Sequence, residues 1–207
     1  MSDTYTNFFG TEDLHEFSFY QRPVKNTIPM RAIEVPDVYR YIKGPYAKVQ
    51  TETLRSITDK DEARQYKATH FDYVTFSGLF KARGKNDLVR HSELLCIDFD
   101  HIKDIPALKE KLLNDPCFET ELLFRSPSGD GLKWVIEIER QGWEHSRFYN
   151  AVYNYLVASG YPEPDKSGSD VARSCFLPYD PDIFINNKYN HVNEKTFFTG
   201  LLGGCPF

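Results

Sequence analysis

The hydrophobic pattern is clearest in the middle of the chain, where it alternates between strand and helix periods. Residues 94–100 form an apolar run that acquires carboxylates only at its end, which is typical of a buried central strand. Residues 132–139 have a period of two, and apolar positions in 145–159 recur at helical spacing. The predicted order is a strand at 94–100, a helix from Asp104 to about 114, strands at 120–125 and 132–139, a helix at 145–159 and a strand at 171–177.

The N-terminal part adds a shorter mixed pattern. A strand is predicted at 16–20, a helix at 36–44, a helix from the capping residue Asp59 to about Lys67, and a strand at 72–76. The tail after Pro178 is expected to wrap over the sheet. The fold class is therefore α+β, with an RNA-recognition-motif-like βαββαβ sheet preceded by an N-terminal αβ unit.

Composition and charge limit the function classes. The 207 residues, 41% of them hydrophobic, fit one domain, and no apolar run approaches the ~20 residues of a membrane helix. The N-terminus lacks a secretory pattern, so we expect a cytoplasmic protein without membrane contact. A net charge of −5 excludes a broad positive field, so any nucleic-acid contact must be local. The four widely spaced cysteines predict reduced thiols.

Asp98 and Asp100 are the first candidate for chemistry. Side chains alternate across a strand, so these two carboxylates project from one face while Ile97 and Phe99 enter the other. Repulsion and partial desolvation would raise a pKa unless Mg²⁺ or Mn²⁺ accepts the oxygen ligands. The alternative is a strand end with two solvated acids. On the expectation that repulsion dominates, Asp98→Asn plus Asp100→Asn should leave stability in EDTA unchanged or raised.

Three further features are candidates for phosphate and metal contacts. Either Asp165 or Asp170 could complete the acidic site, and Arg173 could meet a phosphate bidentately. The turn at 126–131 could offer backbone N–H groups to a triphosphate, with Lys133 just after it. Taken singly, these are also ordinary turn acids, a hairpin loop and an exposed strand lysine.

Some other residues have weaker signals. The basic segment with Lys81, Arg83, Lys85 and Arg90 could guide a nucleotide or a backbone, although such runs are more often solvated loops. Likewise, His91 and His145 are more often polar residues at element ends than catalysts. The glycines at 129 and 131 follow neither the Walker nor the dinucleotide-binding spacing.

The ordered motifs together resemble the archaeo-eukaryotic primase (primase-polymerase) superfamily. They are similar in particular to the primase-like N-terminal domain associated with virulence-associated-protein-E type helicases of bacterial mobile elements. The resemblance covers about residues 30–190, and the ordered series is more specific than any single motif. It is carried by Thr75-Phe76-Ser77-Gly78-Leu79-Phe80, Leu95-Cys96-Ile97-Asp98-Phe99-Asp100, Phe124-Arg125-Ser126-Pro127-Ser128-Gly129-Asp130-Gly131-Leu132-Lys133, and Asp165 to Arg173 through Tyr179-Asp180-Pro181-Asp182.

The resemblance implies site residues. Asp98 and Asp100 match the first acidic motif of the superfamily, and Asp165 best matches the third-motif metal ligand, with Asp170 as the competing assignment. Lys133 stands where the superfamily usually has a His that contacts the incoming nucleotide. The implied phosphate-binding residues are Ser126, Ser128, Gly129, Lys133 and Arg173.

The resemblance also implies an activity. It is a DNA primase or polymerase-type nucleotidyltransferase with Mg²⁺ or Mn²⁺, acting on nucleoside triphosphates and a single-stranded or primed DNA template. The chain would be a single primase-like domain over 1–207, or the N-terminal part of a longer primase-helicase, with a fused or separate helicase as partner. The alternatives are an inactive nucleic-acid or nucleotide-binding module serving a helicase, and a metal-dependent nuclease.

Overall fold

The structure is a computed structural model that describes residues 15–191. Within that range it is a mixed α+β fold with three antiparallel sheets. The helices are α1 Val35–Lys43, α2 Lys48–Ser56, α3 Lys60–His70, α4 Ile105–Leu113 and α5 His145–Ala158. The strands are β1 Phe17–Tyr20, β2 Arg31–Ile33, β3 Tyr73–Thr75, β4 Gly78–Phe80, β5 Leu88–His91, β6 Leu94–Phe99, β7 Thr120–Arg125, β8 Leu132–Glu137, β9 Cys175–Phe176 and β10 Phe184–Ile185.

Two four-stranded sheets make up most of the fold. The first has the order β2-β1-β3-β9 and the second the order β10-β7-β8-β6, while β4 and β5 form a separate two-stranded ribbon. All of these neighbours pair antiparallel. The β7–β8 hairpin, with the register Phe124 opposite Lys133, is closed by the turn at 126–131.

Both faces of the second sheet are buried. One face packs against the first sheet and α1, through a cluster that includes Phe17, Val38, Val74, Leu94 and Val135. The other face packs against α4 and α5, through a cluster that includes Leu95, Ile97, Leu112, Trp134 and Val152. Successive side chains of β6 point to opposite faces, and each face is covered by its own apolar layer. The sequence of β6 is therefore a continuous hydrophobic run.

The prediction of a central strand at 94–100 is wrong in one respect. Strand β6 is buried on both faces, but it is the edge of its sheet, with β8 as its only strand neighbour in the described range. The predicted fourth strand of the βαββαβ unit, at 171–177, shortens to β9 and pairs with β3 of the other sheet. An apolar run indicates that both faces of a strand are buried, but it does not indicate whether the strand is paired on one side or on both.

Most predicted elements are confirmed. Helix α3 begins after Asp59, whose carboxylate accepts the Glu62 N–H at 2.8 Å, and Asp104 caps α4 in the same way. Helix α2 was not predicted, because only Thr51 and Leu54 are buried along it. The tail after Pro178 supplies an edge strand, β10, beside β7 instead of a loose wrap. Cys205 lies outside the described residues.

Between residues 15 and 191, no helix is both long and apolar enough to cross a membrane.

Candidate functional site

The candidate site lies where β6 ends. Asp98 and Asp100 share the strand face of Cys96, opposite Ile97 and Phe99, as the alternation predicted. Lys133 of β8 lies directly across from Asp98 in the register. Its Nζ forms an ion pair with Asp98 Oδ2. The antiparallel pairing therefore places a cation beside the first acid.

Asp165 reaches the same point from a distant part of the chain. Because β6 is an edge strand, its backbone is free on one side, and Asp98 O accepts the Asp165 N–H at 2.8 Å. Tyr149 of α5 fixes the loop from behind, since its hydroxyl donates to Asp165 O at 2.7 Å. One carboxylate oxygen from each of Asp98, Asp100 and Asp165 then lies within 4.8 Å of the others. The structure brings together the three acids that the resemblance implied.

The donor set fits a hard divalent cation. Oxygen-only ligands are those that Mg²⁺ and Mn²⁺ prefer. Asp98 Oδ1 is buried and has no hydrogen-bond partner in the described part of the chain, although Oδ2 of the same carboxylate pairs with Lys133. A buried acceptor left without a partner is costly, so this oxygen is available for a cation.

The three acids differ in their electrostatic environment. Burial and then the charge of Asp165 raise the pKa of Asp100, whose carboxylate has no ion-pair partner among residues 15–191. Burial would also raise the pKa of Asp165, but hydrogen bonds from Ser167 and the charge of Arg173 lower it overall. Arg173 Nη2 lies 3.1 Å from Asp165 Oδ2. Burial lowers the pKa of Lys133.

The turn at 126–131 borders the same site. Its conformation is set internally, because the Ser126 hydroxyl accepts the Gly131 N–H at 3.1 Å and Gly129 adopts a positive φ of 85°. Ser126 is therefore occupied within the turn. Ser128 is exposed, and neither its hydroxyl nor its N–H has a hydrogen-bond partner in the range that the structure covers. Of the predicted turn residues, Ser128 has the freest donors.

These groups line one cleft of about 290 Å³. Asp98, Asp100, Lys133, Arg173 and the turn residues Ser126 to Ser128 form part of its wall. Such a volume lies near the lower end of the range for small-molecule sites, which is roughly 300–1,000 Å³. Lys133 and the first half of the turn therefore lie in one cleft wall with Asp98 and Asp100.

Two helices also contribute to the site without having been predicted from the sequence. Arg55 of α2 donates to Pro127 O and Ser126 O, each at 3.2 Å, and so fixes the turn. Arg64 and Lys67 of α3 line the cleft. Their spacing of three residues places both on one face of a helix, and that spacing is the only sequence signal that indicated a shared role.

Several predicted residues belong neither to the acidic cluster nor to the cleft wall. Asp170 is exposed, is not one of the clustered carboxylates, and accepts the Ala172 N–H at 3.0 Å as an ordinary turn acid. Gly129 packs against Arg55 and is not part of the cleft wall. Lys81, Arg83 and Lys85 of the basic segment lie in the β4–β5 connection, where Arg83 donates to the Tyr73 hydroxyl at 3.1 Å, and Arg90 lies on β5. None of its cations lines the cleft as described between residues 15 and 191.

His91 and His145 form a buried link behind the site. The Glu93 N–H donates to His91 Nδ1 at 2.9 Å, so His91 Nε2 carries the proton and donates to His145 Nδ1 at 3.0 Å. His145 Nε2 then donates to Gly168 O at 3.1 Å. Both rings are neutral in this arrangement, and they tie β5 to the loop that carries Asp165.

Fold and site together define an α+β protein with a clustered acidic site at a sheet edge. Residues 65–184 match the family model of the BT4734-like, N-terminal domain, and the chain belongs to that family. The match spans the three clustered acids, Lys133, Arg173 and the part of α3 that includes Lys67, and it begins one residue after Arg64. No curated protein and no solved structure matches the chain.

Proposed function

We propose that this chain is a primase-polymerase-type nucleotidyltransferase domain. The observation that carries the proposal is a cluster of three carboxylates, two of which line a cleft together with two cations and the free donors of Ser128. Acids alone would suit many metal sites. An adjacent set of phosphate-binding groups favours a ligand that carries both a divalent cation and several phosphates.

Asp98, Asp100 and Asp165 would hold Mg²⁺ or Mn²⁺ with their carboxylate oxygens. When bound, such cations lower the pKa of an attacking hydroxyl and stabilise charge on the attacking and leaving oxygens. The reaction forms one O–P bond to the α phosphorus, breaks the bond from that phosphorus to the bridging oxygen, and releases pyrophosphate and a proton.

The other cleft residues would bind the triphosphate. Lys133 uses one donor on Asp98 Oδ2, which orients that carboxylate, and its remaining ammonium hydrogens are available to phosphate oxygens. Arg173 is exposed and can present its guanidinium fork in the same way, and Ser128 offers a hydroxyl and a backbone N–H. Their positive charge would offset the charge that develops during transfer.

The test is metal-dependent nucleotide incorporation by the purified protein on primed and unprimed single-stranded DNA, with deoxynucleoside or ribonucleoside triphosphates and either metal. Asp100→Asn is the most informative variant, because its carboxylate supports no hydrogen bond or ion pair within residues 15–191 and the fold should survive. Asp170→Asn, outside the cluster, is the matched control. Incorporation that Asp100→Asn removes and Asp170→Asn retains supports the proposal.

Absence of incorporation by the unmutated protein on every template and with both metals would overturn the polymerase assignment. A helicase-associated binding module would then be the better account. Strand cleavage without nucleotide would instead favour the nuclease alternative.

A further inference from the structure

Helix α3 places two cationic side chains in the cleft wall, and neither of them stabilises the described part of the fold through a hydrogen bond or an ion pair. Arg64 and Lys67 lie three residues apart and line the same wall region as the turn residues Ser126 to Ser128. Neither forms a hydrogen bond or an ion pair with any residue between 15 and 191. Helix α3 has no fully buried residue, so core packing does not account for these positions.

The side chains around the cleft have a surplus of positive charge, which favours an anionic ligand. Four cationic side chains, Arg64, Lys67, Lys133 and Arg173, line the cleft. Two carboxylates line it with them and Asp165 completes the acidic cluster, which leaves a surplus of one positive charge before any divalent cation binds. Lys133 and Arg173 already pair with Asp98 and Asp165. Each added divalent cation increases the surplus by two. A ligand with several negative charges balances it, whereas a neutral or singly charged ligand does not.

We propose that Arg64 and Lys67 bind the terminal phosphates of a nucleoside triphosphate, the part that leaves as pyrophosphate. The inference rests on the proposed function and adds a helix that neither the sequence motifs nor the family match assigned to the site. The guanidinium of Arg64 suits bidentate contact with a phosphate, and the ammonium of Lys67 acts as a point charge beside it.

A polyphosphate fits these observations better than a nucleic-acid strand does. The two cations face a cleft of about 290 Å³ that is also lined by Asp98 and Asp100, and a strand would require an extended basic surface. The net charge of −5 argues against such a surface. Lys60, on the same helix, is not part of the cleft wall, so the basic contribution of α3 is confined to the positions beside the turn.

The test compares Arg64→Ala plus Lys67→Ala with Lys60→Ala, which removes a cation from the same helix outside the cleft. Binding of ATP, ADP and AMP is measured by calorimetry with Mn²⁺, and inorganic tripolyphosphate serves as a probe without a base. The double variant should weaken ATP and tripolyphosphate binding by about a hundredfold, which is about tenfold, or about 1.4 kcal/mol, for each deleted cation. AMP affinity should be unchanged, and Lys60→Ala should match the unmutated protein.

The outcomes separate this inference from the proposed function. If the unmutated protein binds ATP with Mn²⁺ and the double variant binds it equally well, the α3 assignment is overturned and the proposed function stands. A double variant that loses affinity for single-stranded DNA but not for ATP would also overturn it, since α3 would then face a strand. If the unmutated protein shows no Mn²⁺-dependent ATP binding, the proposed function itself fails.

Discussion

Asp98 lies on β6 and Asp100 directly follows that strand, yet we expect their replacement to have different effects on the stability of the fold. Asp98 pairs with Lys133, and only about 15% of either side chain is exposed. The expectation that both acids could be replaced without cost considered only their mutual repulsion. The hairpin places Lys133 opposite Asp98, and this ion pair is the reason to revise the expectation for that residue.

We predict that Asp98→Asn destabilises the protein in EDTA by about 1–3 kcal/mol, because it leaves a buried ammonium without its counter-charge. The melting temperature should fall by about 2–4 °C per kcal/mol in a chain of this length. Asp100→Asn should be neutral or stabilising near pH 7. The raised pKa of Asp100 shows that folding disfavours its ionised form, so stability from this carboxyl is lost as pH rises. Equal melting shifts for the two variants would contradict this account.

The third acid of the cluster is Asp165 and not Asp170, and this assignment can be tested with single replacements. Asp165 lies within 4.8 Å of the other acids and Asp170 is not in that cluster, so Asp165→Asn should weaken Mn²⁺ binding at least tenfold. The replacement keeps an oxygen for the Ser167 N–H, which favours a native loop. Asp170→Asn should leave the affinity unchanged. Titration of Mn²⁺ by electron paramagnetic resonance measures both, and the reverse order would assign the metal to Asp170.

At the scale of elements, the edge position of β6 builds the site. An interior strand would have both backbone sides paired, and the Asp165 N–H would find no free carbonyl at Asp98. The displacement of β9 into the other sheet is what leaves that side open. The pairing of β9 with the other sheet therefore explains two things: why the predicted βαββαβ sheet is incomplete, and why Asp165 can bond to the backbone beside Asp98.

The histidine pair gives an element-scale prediction about pH. Burial, then the charge of Arg140 and the proximity of His145, lower the pKa of His91 to about 3, although the charge of Glu93 acts in the opposite direction. A depressed folded-state pKa means that stability is complete above about pH 6.5 and is lost as pH falls toward 3. His91 alone should cost about 2 kcal/mol between pH 6.5 and pH 5.

Urea unfolding at pH 7 and pH 5 measures this dependence. His91→Gln removes the titrating ring and should flatten it, whereas His101→Gln, whose side chain is 84% exposed, should not. A His91→Gln protein with the full acid sensitivity would show that the link from β5 through His145 to the Asp165 loop does not set it.

The sequence predicted the elements with strong local signals and missed those that depend on long-range pairing. The β7–β8 hairpin and α5 followed from periodicity, and α3 and α4 from their capping acids. Strands β2, β4 and β10, which were not predicted, have two or three residues each, too few for a period to appear. In the candidate site, too, the sequence predicted only what local patterns determine. The alternation of the strand predicted which face Asp98 is on. The Lys133 ion pair, the Arg55 contacts and the part of the cleft wall that α3 supplies depend on packing between distant segments, so they could not be predicted in this way.

At the scale of the whole molecule, a chain of net charge −5 concentrates several cations beside its acidic cluster. The local field, and not the overall charge, would then attract a metal-bound polyphosphate. Because these contacts are electrostatic, nucleotide affinity should decrease with added salt even though the protein as a whole is acidic.

The central claim is that Asp98, Asp100 and Asp165 jointly hold a divalent cation that carries a nucleotide. The most direct measurement is a crystal structure of the protein with Mn²⁺ and a non-hydrolysable nucleoside triphosphate, with manganese located by its anomalous scattering. The account predicts manganese within about 2.0–2.6 Å of oxygens from all three carboxylates, with phosphates extending toward Ser128 and Lys133. Manganese elsewhere, or three carboxylates without metal at saturating Mn²⁺ and nucleotide, would contradict it.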